Sequence, residues 1–201
     1  MSAVLDHHDG HDHAHDHPHG WRRWVYATNH KDIGTCYLWF SFAMLLVGGV
    51  NALLLRSELF QPGLQIVNPE FFNQLTTLHG LIMVFGAVMP AFVGFANWQI
   101  PLMIGCSDMA FARMNNFSFW LLPVAAALLV VSYFVPGGAT AAGWTLYAPL
   151  SVQMGPGMDL AIFAVHIMGA SSIMGSINII TTILNMRAPG MTLMKMPMFV
   201  W

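Results

Sequence analysis

One histidine, His79, lies inside a long uncharged stretch of the sequence. No Asp, Glu, Lys or Arg occurs between Phe71 and Ser107, so the stretch is long and apolar enough to cross a membrane. An ionisable side chain is costly in hydrocarbon unless it has a partner, which makes His79 a candidate functional residue. A metal or a haem iron would satisfy an imidazole at this depth. A hydrogen bond to a neighbouring helix would also satisfy it, and the pattern leaves both interpretations open.

The residues that follow His79 along a helix are compatible with a flat ligand. Met83 lies one helical turn further on and Gly86 lies two turns further on. The glycine would leave room for a macrocycle, and the methionine would offer a polarisable wall. His166 lies in a later apolar segment without such neighbours, so we interpret it as a packed or hydrogen-bonded histidine.

A second group of polar residues could conduct protons. Ser171, Gly175 and Asn178 are spaced four and then three apart, which places them on one face of a helix. Small residues at this spacing are also typical of close helix packing in membranes, so the pattern alone leaves two interpretations. Asp108 favours the proton interpretation, because a carboxyl group at the end of an apolar segment could collect protons. Asp108 could instead cap a loop or pair with Arg113.

Four apolar segments must position these residues. They cover residues 35–55, 75–100, 117–134 and 160–184. About 20 helical residues cross a ~30 Å hydrocarbon core, so each segment is predicted to be a transmembrane helix. The chain is 56% hydrophobic and 8% charged, whereas soluble domains contain about 25% charged residues. The sequence therefore predicts an all-α membrane protein that works in a lipid bilayer, with no nucleic-acid partner.

The basic residues predict how these helices are oriented. Those on one side of the predicted bundle are Arg22, Arg23, Lys31, Arg113, Arg187 and Lys195. Only Arg56 lies on the other side. Basic residues are enriched in cytoplasmic loops, which predicts a cytoplasmic N-terminus and cytoplasmic loops at 101–116 and 185–195. Loops 56–74 and 135–157 are then predicted to face outward.

The two ends of the chain carry different signals. Histidines alternate with aspartates in residues 1–20. Such a tract is a candidate metal-binding segment, and it is equally typical of a solvated, disordered tail. Residues 196–201 are apolar and predict the start of a fifth membrane helix. We therefore expect the 201 residues to be the front part of a longer protein.

Several short motifs occur together in this sequence. They are Thr28–Thr35, Leu78–Gly80, Asn97–Trp98, Pro101–Gly105, Asp108–Phe111, Arg113–Asn116, Gly143–Tyr147 and Ile177–Asn178. In order and spacing they closely resemble the cytochrome c oxidase subunit I family of haem-copper oxidases, over about residues 21–201. The resemblance implies the front part of a 12-helix transmembrane bundle, with the His/Asp-rich tail outside it.

The resemblance implies a haem near the outer face. His79 matches one axial ligand of the low-spin haem, which is haem A in this family. Arg56 matches the arginine that contacts the formyl group of that haem, and Trp144 and Tyr147 match residues near its propionates. Neutral imidazole is a good axial donor to haem iron. A permanent positive charge beside the porphyrin would raise its potential.

The resemblance also implies a proton channel that opens at the inner face. Asp108 matches the residue at the channel mouth. The residues that match the channel lining are Asn97, Asn115, Tyr37, Ser118, Ser171, Ser172 and Asn178. Amides and hydroxyls can order water without trapping a proton as a carboxylate would.

A cation site is implied in the first outer loop. Glu58, Gly63 and Gln65 match the calcium or sodium site of the family. Carboxylate, carbonyl and amide oxygens suit a hard cation of this kind.

The chain departs from the family pattern just before Asn97. The run Pro90–Asn97 lacks one residue of the usual pattern. A missing residue would rotate the inner end of the helix by about 100°, unless a bulge absorbs it. With regular α-helical spacing, the 18 residues from His79 to Asn97 make five turns and place both on one face.

The function implied by the resemblance is that of the catalytic subunit of a proton-pumping terminal oxidase. Electrons would pass from cytochrome c, through a copper-bearing subunit II, to the low-spin haem and then to a haem-copper centre that reduces O2 to water. Later residues would ligate the second haem and copper B, so the 201 residues alone would be inactive. Subunit III would be a further partner, and the implied location is a bacterial-type inner membrane.

Two other functions would fit parts of the pattern. Quinol oxidases of the superfamily carry charged residues in the first membrane helix, and residues 35–55 contain none, which favours cytochrome c. A non-redox proton or ion transporter would explain Asp108 and the polar stripe. It would not explain His79 together with Arg56.

Overall fold

The computed structural model describes residues 20–201, and its regular structure there is entirely helical. The helices are α1 (Trp21–Val25), α2 (His30–Glu58), α3 (Pro69–Leu81), α4 (Met89–Ile104), α5 (Ala112–Val131) and α6 (Pro156–Asn185). A π-helical segment, Ile82–Val88, joins α3 to α4 without a break. Short 3-10 turns lie at Ser132–Phe134, Leu150–Gln153 and Leu193–Lys195. The predicted His/Asp-rich tail lies outside the described residues, apart from Gly20.

The four predicted membrane helices are confirmed. The helical spans long and apolar enough to cross a membrane are His30–Glu58, Pro69–Ile104, Ala112–Phe134 and Pro156–Asn185. Each begins earlier than its apolar segment, because polar residues outside the hydrocarbon-like stretch start the helix. The Asn29 side chain, for example, accepts a hydrogen bond from the backbone N–H of Lys31, and the Asn68 side chain accepts one from Phe71.

Small residues allow α2 to pack closely against the second span. A Cβ atom on Gly34 would lie 3.0 Å from the carbonyl oxygen of Gly94. The Ser41 hydroxyl donates to the carbonyl of Ala87 at 2.6 Å, midway along the same contact. Close backbone approach of this kind is typical of helix pairs in membranes, where dispersion and interhelical hydrogen bonds drive association. The contact fixes the register between His79 on one helix and the residues of α2.

The second span is not a regular α-helix, so the prediction of five α-turns between His79 and Asn97 is wrong. The backbone N–H of Met89 bonds to the carbonyl of Val84, five residues back, within the π-helical segment. Pro90 follows directly; it lacks an N–H and its ring crowds the preceding turn, which is a common cause of such bulges. The span therefore contains a bulge; that it offsets the residue missing from the family pattern stays a prediction. Both residues still contact α2, His79 through its ring and Asn97 through its carbonyl.

Residues 197–200, near the end of the chain, form a turn. The backbone N–H of Val200 donates to the carbonyl of Pro197 at 3.0 Å. A fifth membrane helix starting at residue 196 stays a prediction.

Candidate functional site

His79 lies half-buried on α3 and faces α2. Its Nδ1 is 2.8 Å from the carbonyl oxygen of Gly48. Because a carbonyl only accepts hydrogen bonds, Nδ1 must carry the proton, and Nε2 keeps its lone pair. A hydrogen bond of this kind fixes the tautomer and the ring orientation of histidine ligands in metal sites. The two interpretations open at the sequence level, a hydrogen bond and a metal bond, are therefore compatible in one imidazole.

Gly48 is glycine because Met83 fills the space where its side chain would lie. A Cβ atom there would be 2.5 Å from the Met83 sulfur, whereas a Cβ on Gly49 would meet nothing within 4 Å. The sequence suggests that Met83 forms a wall beside a flat ligand. In the structure Met83 packs against Gly48, at the contact between the second span and α2. The space beside Gly86 is also filled, since a Cβ atom there would lie 3.2 Å from the Met44 side chain. The prediction that Gly86 leaves room for a macrocycle is wrong, because Met44 of α2 occupies that room.

The pair Gly48 and Gly49 offers a matched test of this contact. We expect Gly48→Ala to destabilise the protein by about 1–3 kcal/mol, because overpacking forces Met83 or the helices apart. We expect Gly49→Ala to be neutral or slightly stabilising, because alanine favours a helix over glycine by about 0.5–1 kcal/mol. Thermal unfolding of the two variants measures this difference. Equal effects of the two substitutions would show that Met83 does not restrict this position.

Trp144 packs against Gly80, the residue after His79, whereas Tyr147 and Arg56 lie on the surface. A Cβ atom on Gly80 would lie 2.8 Å from the Trp144 Cβ, so the loop crosses α3 immediately after the histidine. Trp144 remains 50% exposed and Tyr147 is 76% exposed. Arg56 is exposed near the end of α2 and lines a groove of about 340 Å3 with Leu53, Ser57 and Phe60. None of the hydrogen bonds among residues 20–201 includes the guanidinium of Arg56.

Asp108 lies half-buried at the opposite end of the helices. Its Oδ1 accepts hydrogen bonds from the backbone N–H groups of Met109 at 2.7 Å and His30 at 3.2 Å. His30 is the first residue of α2, so the Asp108 carboxylate helps to cap that helix. The capping alternative is confirmed, while no ion pair joins Asp108 to Arg113 among the described residues. Burial raises the pKa of the neighbouring Cys106 thiol, which therefore adds no second negative charge.

Three fully buried asparagines lie beyond Asp108. The amide of Asn115 donates to Oδ1 of Asn97 at 2.6 Å, and the amide of Asn97 donates to the carbonyl of Val93 at 2.9 Å. The Oδ1 of Asn178 accepts from the backbone N–H of Phe111 at 2.8 Å. This leaves one acceptor, Asn115 Oδ1, and one donor, Asn178 Nδ2, buried without a partner among the described residues. Buried polar atoms almost always have a partner, and ordered water is the usual one when protein supplies none.

Hydroxyl groups continue from the asparagines toward the middle of the bundle. Ser118 donates to the carbonyl of Asn115 at 2.7 Å, so the Tyr37 hydroxyl, 2.8 Å away, donates to Ser118. Ser171 donates to the carbonyl of Ser118 at 2.6 Å. A cavity of about 20 Å3 follows, and Tyr37, Ser171 and Ser172 line its polar side. That volume is enough for about one water molecule.

Hydrogen bonds join five of the eight residues predicted for the channel, and we call the eight together the polar line. They are Asp108, Asn97, Asn115, Asn178, Ser118, Tyr37, Ser171 and Ser172. The structure confirms that Ser171, Gly175 and Asn178 share one face of α6, because all three are buried. Thr182 continues this face, and its hydroxyl accepts from the backbone N–H of Ala110 at 2.9 Å.

The loop after α2 encloses the carboxylate of Glu58. Its two oxygens accept three backbone N–H groups, from Gln65 at 2.8 Å, Ile66 at 2.6 Å and Val67 at 3.0 Å. The Gln65 side chain donates to the carbonyl of Pro62 at 3.1 Å. The residues predicted for a cation site therefore lie in one loop. The Glu58 carboxylate has backbone partners already, and only its remaining lone pairs would be available to a cation.

We expect Glu58→Gln to loosen this loop. Glutamine offers one oxygen in place of two and turns an NH2 group toward backbone N–H donors, which costs about 1–3 kcal/mol. Limited proteolysis at residues 59–67 of the membrane-embedded protein measures the effect. Glu70→Gln is the matched control, since Glu70 is exposed on the first turn of α3. Equal cleavage rates in the two variants would contradict a role of the carboxylate in holding the loop.

Comparison with known proteins decides the family of this chain. Residues 32–201 match the family described as cytochrome C and quinol oxidase polypeptide I. The chain belongs to this oxidase family. It is 48% identical to the probable cytochrome c oxidase subunit 1-alpha of Streptomyces avermitilis, over 89% of the chain and 31% of that protein. It is 44% identical to cytochrome c oxidase subunit 1 of Cereibacter sphaeroides, over 95% of the chain and 40% of that protein.

The chain spans about a third of the length of the curated relatives it matches. The resemblance seen in the short motifs is thus confirmed, and so is the all-α membrane fold. Membership of the oxidase family implies haem and copper in the complete protein. Within residues 20–201, no group of three or more His, Cys, Asp or Glu side chains could hold a metal ion. His79 fits one axial position of a haem, because its Nε2 lone pair is free of protein donors and acceptors among the described residues.

Sequence reasoning missed His30 as part of the site of this oxidase-family chain. Its ring Nδ1 lies 2.8 Å from the carbonyl of Asn97, and its backbone N–H bonds to Asp108. It also missed Gly48, the partner of His79. His30 stands in the motif that carries the resemblance, but nothing in that motif says which residues its ring contacts. Both contacts join residues from distant parts of the chain, and only the packing of α2 on the second span brings them together.

Proposed function

We propose that this chain forms part of the catalytic subunit of a proton-pumping terminal oxidase, which transfers electrons from cytochrome c to O2. The observation that carries the proposal is the polar line, which runs from a half-buried carboxylate into a bundle that also holds His79. The names of the relatives, cytochrome c oxidase subunit 1 and its alpha and beta forms, support it. A carboxylate entrance and a half-buried histidine with a free ring nitrogen suit proton uptake and haem ligation.

The histidine end of the bundle is proposed to hold the low-spin haem, of haem A type. His79 Nε2 would be one axial ligand, and the Gly48 carbonyl would hold the ring in place and increase its basicity. The bound haem would supply one-electron transfer. Trp144 would lie against the haem periphery, and Arg56 and Tyr147 have the freedom to turn toward it, because both are exposed. The positive charge of Arg56 would raise the haem potential.

The polar line is proposed to take protons from the cytoplasm. The second oxygen of Asp108 has no hydrogen bond among the described residues, so it is available to accept a proton from water. Waters bonded to Asn115 Oδ1 and Asn178 Nδ2 would carry the proton past the asparagines. The hydroxyls of Ser118, Tyr37 and Ser171 can both donate and accept, so they can pass a proton on without holding it as a charge.

The rest of the oxidase is proposed to complete the reaction. Residues beyond the 201 would ligate the second haem and copper B, where O2 is reduced to water. A copper-bearing subunit II would deliver electrons, and subunit III would complete the assembly. We propose a bacterial inner membrane with the N-terminus in the cytoplasm, which the basic residues support. Each charge moved across the membrane stores about 2.3 kcal/mol per 100 mV.

Cytochrome c is proposed as the electron donor because the apolar part of α2 lacks the charged residues that quinol oxidases of the superfamily carry there. No charged residue occurs between Thr35 and Leu55, and the side chains of that stretch that face outward are mostly large and apolar. The loop at Glu58, Gly63 and Gln65 is proposed to bind Ca2+ or Na+ through oxygens that the backbone N–H groups leave available.

Oxygen consumption by the purified full complex in sealed vesicles tests this function. We expect reduced cytochrome c to sustain O2 uptake and quinol not to do so, with acidification outside and a haem Soret band in the spectrum. Quinol-driven uptake alone would identify the quinol-oxidising branch of the family. A complex with no Soret band that still moved protons would be a transporter and would contradict the proposal.

A further inference from the structure

His30 connects two parts of the polar line that lie far apart in sequence. It is the first residue of α2 and is only 4% exposed. Its backbone N–H donates to Oδ1 of Asp108 at 3.2 Å. Its ring Nδ1 is 2.8 Å from the carbonyl oxygen of Asn97, and because a carbonyl only accepts, Nδ1 carries the proton. One residue thus contacts both the channel mouth and the asparagine cluster.

The contact with Asn97 affects the asparagine cluster directly. Asn97 lies on α4, and its Oδ1 accepts the amide of Asn115 at 2.6 Å. The Asn97 side-chain amide donates to the carbonyl of Val93 at 2.9 Å, which fixes the orientation of that side chain. The His30 ring holds the backbone of the same residue. Asp108 is therefore bonded to the backbone of His30, and Asn97 is bonded to the ring of His30. These two bonds together set the distance from Asp108 to the asparagines.

We propose that His30 is a positioning residue for proton entry: it fixes the Asp108 carboxylate and the Asn97–Asn115 pair at the separation that waters can bridge. This inference rests on the proposed oxidase function and adds a residue to it. The role assigned to the ring is the Nδ1–H bond to the Asn97 carbonyl, not proton transfer. Small displacements of groups that must align can slow a reaction greatly. A loss of the Asn97 contact therefore slows proton uptake while electron entry continues.

Two conservative substitutions separate this role from a general effect on folding. In His30→Asn the side-chain amide lies near the position of Nδ1, so the donor to Asn97 is kept. In His30→Gln the amide lies near the position of Nε2, so the donor to Asn97 is lost. We expect His30→Gln to slow proton uptake about two- to tenfold, the rate equivalent of one neutral hydrogen bond. We expect His30→Asn to remain within about twofold of the unmodified protein.

The experiment measures proton uptake by the purified assembled oxidase, with rates normalised to haem content. A larger solvent isotope effect in D2O is expected for His30→Gln, because proton entry then limits the rate; damage to folding would lower haem content and leave the isotope effect unchanged. His166→Gln is the control. His166 is exposed and its ring bonds to its own helix, to the carbonyl of Ile162 at 2.8 Å.

Three results would overturn the positioning role. They are equal rates in His30→Asn and His30→Gln, an unchanged isotope effect in His30→Gln, and a rate in His30→Gln equal to that of His166→Gln. Asp108→Asn is measured in parallel to distinguish this failure from that of the oxidase function. If Asp108→Asn slows uptake and His30→Gln does not, His30 has no such role and the channel stands. If neither substitution slows uptake, the proposed channel itself is wrong.

Discussion

Replacing His79 with alanine is expected to remove the low-spin haem from the assembled oxidase. The substitution deletes the Nε2 donor, and an alanine methyl group cannot ligate iron. The protein around it should change little, because the only described partner lost is the carbonyl of Gly48 on α2. An unpaired buried carbonyl costs about 1–3 kcal/mol, which is small beside the loss of an axial ligand.

Haem content per subunit and the reduced-minus-oxidised spectrum measure this effect. We expect haem content to fall by about half, because the second haem would be ligated by later residues. Electron transfer from cytochrome c should stop. The control is His166→Ala, which removes an exposed histidine with a bond only within its own helix. Unchanged haem content and spectrum in His79→Ala would show that this histidine does not ligate the haem.

Replacing Asp108 with asparagine is expected to slow proton uptake and turnover by about tenfold or more. General acid–base groups typically contribute 10²–10⁴-fold, and a channel entrance with other water access would lose less. Asparagine keeps an oxygen that can accept from Met109 and His30, so the capping contact and the start of α2 should survive. What is lost is the capacity to take up a proton. Haem content should therefore stay normal.

Turnover and proton uptake from the cytoplasmic side are measured together for Asp108→Asn. Asp108→Glu keeps the titratable group and should recover most of the rate. Asp159→Asn is the control at the other end of the bundle, since Asp159 is exposed on the first turn of α6. Normal proton uptake in Asp108→Asn would remove Asp108 from the entrance, and the polar line would then be a packing feature only.

Most of the fold could be predicted because hydropathy determines it locally. The four spans follow from apolar runs of sufficient length, and no long-range information is needed to find them. Their ends were predicted less well. Asn29 and Asn68 begin helices outside the apolar runs. Their side chains accept hydrogen bonds from the first turn, which hydropathy does not detect. The His/Asp-rich tail lies outside the described residues and remains a prediction.

The sequence pointed to individual polar residues but not to the contacts between them. Residue types and the family resemblance pointed to Asn97, Asn115 and Asn178, yet the pairing of their amides depends on how α4, α5 and α6 pack. The space at Gly86 was misjudged for the same reason, because Met44 comes from another helix. The π-helical segment before Pro90 was not predicted, because apolar patterning does not report which carbonyl each backbone N–H bonds. The role of His30 depends on two contacts across the bundle, which no local pattern contains.

The identity of the atom bonded to His79 Nε2 in the intact oxidase tests the central claim most directly. A high-resolution structure of the full complex, with haem present, provides that measurement. We predict that Nε2 is bonded to the low-spin haem iron while Nδ1 still donates to the carbonyl of Gly48. An Nε2 hydrogen-bonded to protein, lipid or water, with the iron ligated by other residues, would contradict the assignment of this chain's histidine to the haem.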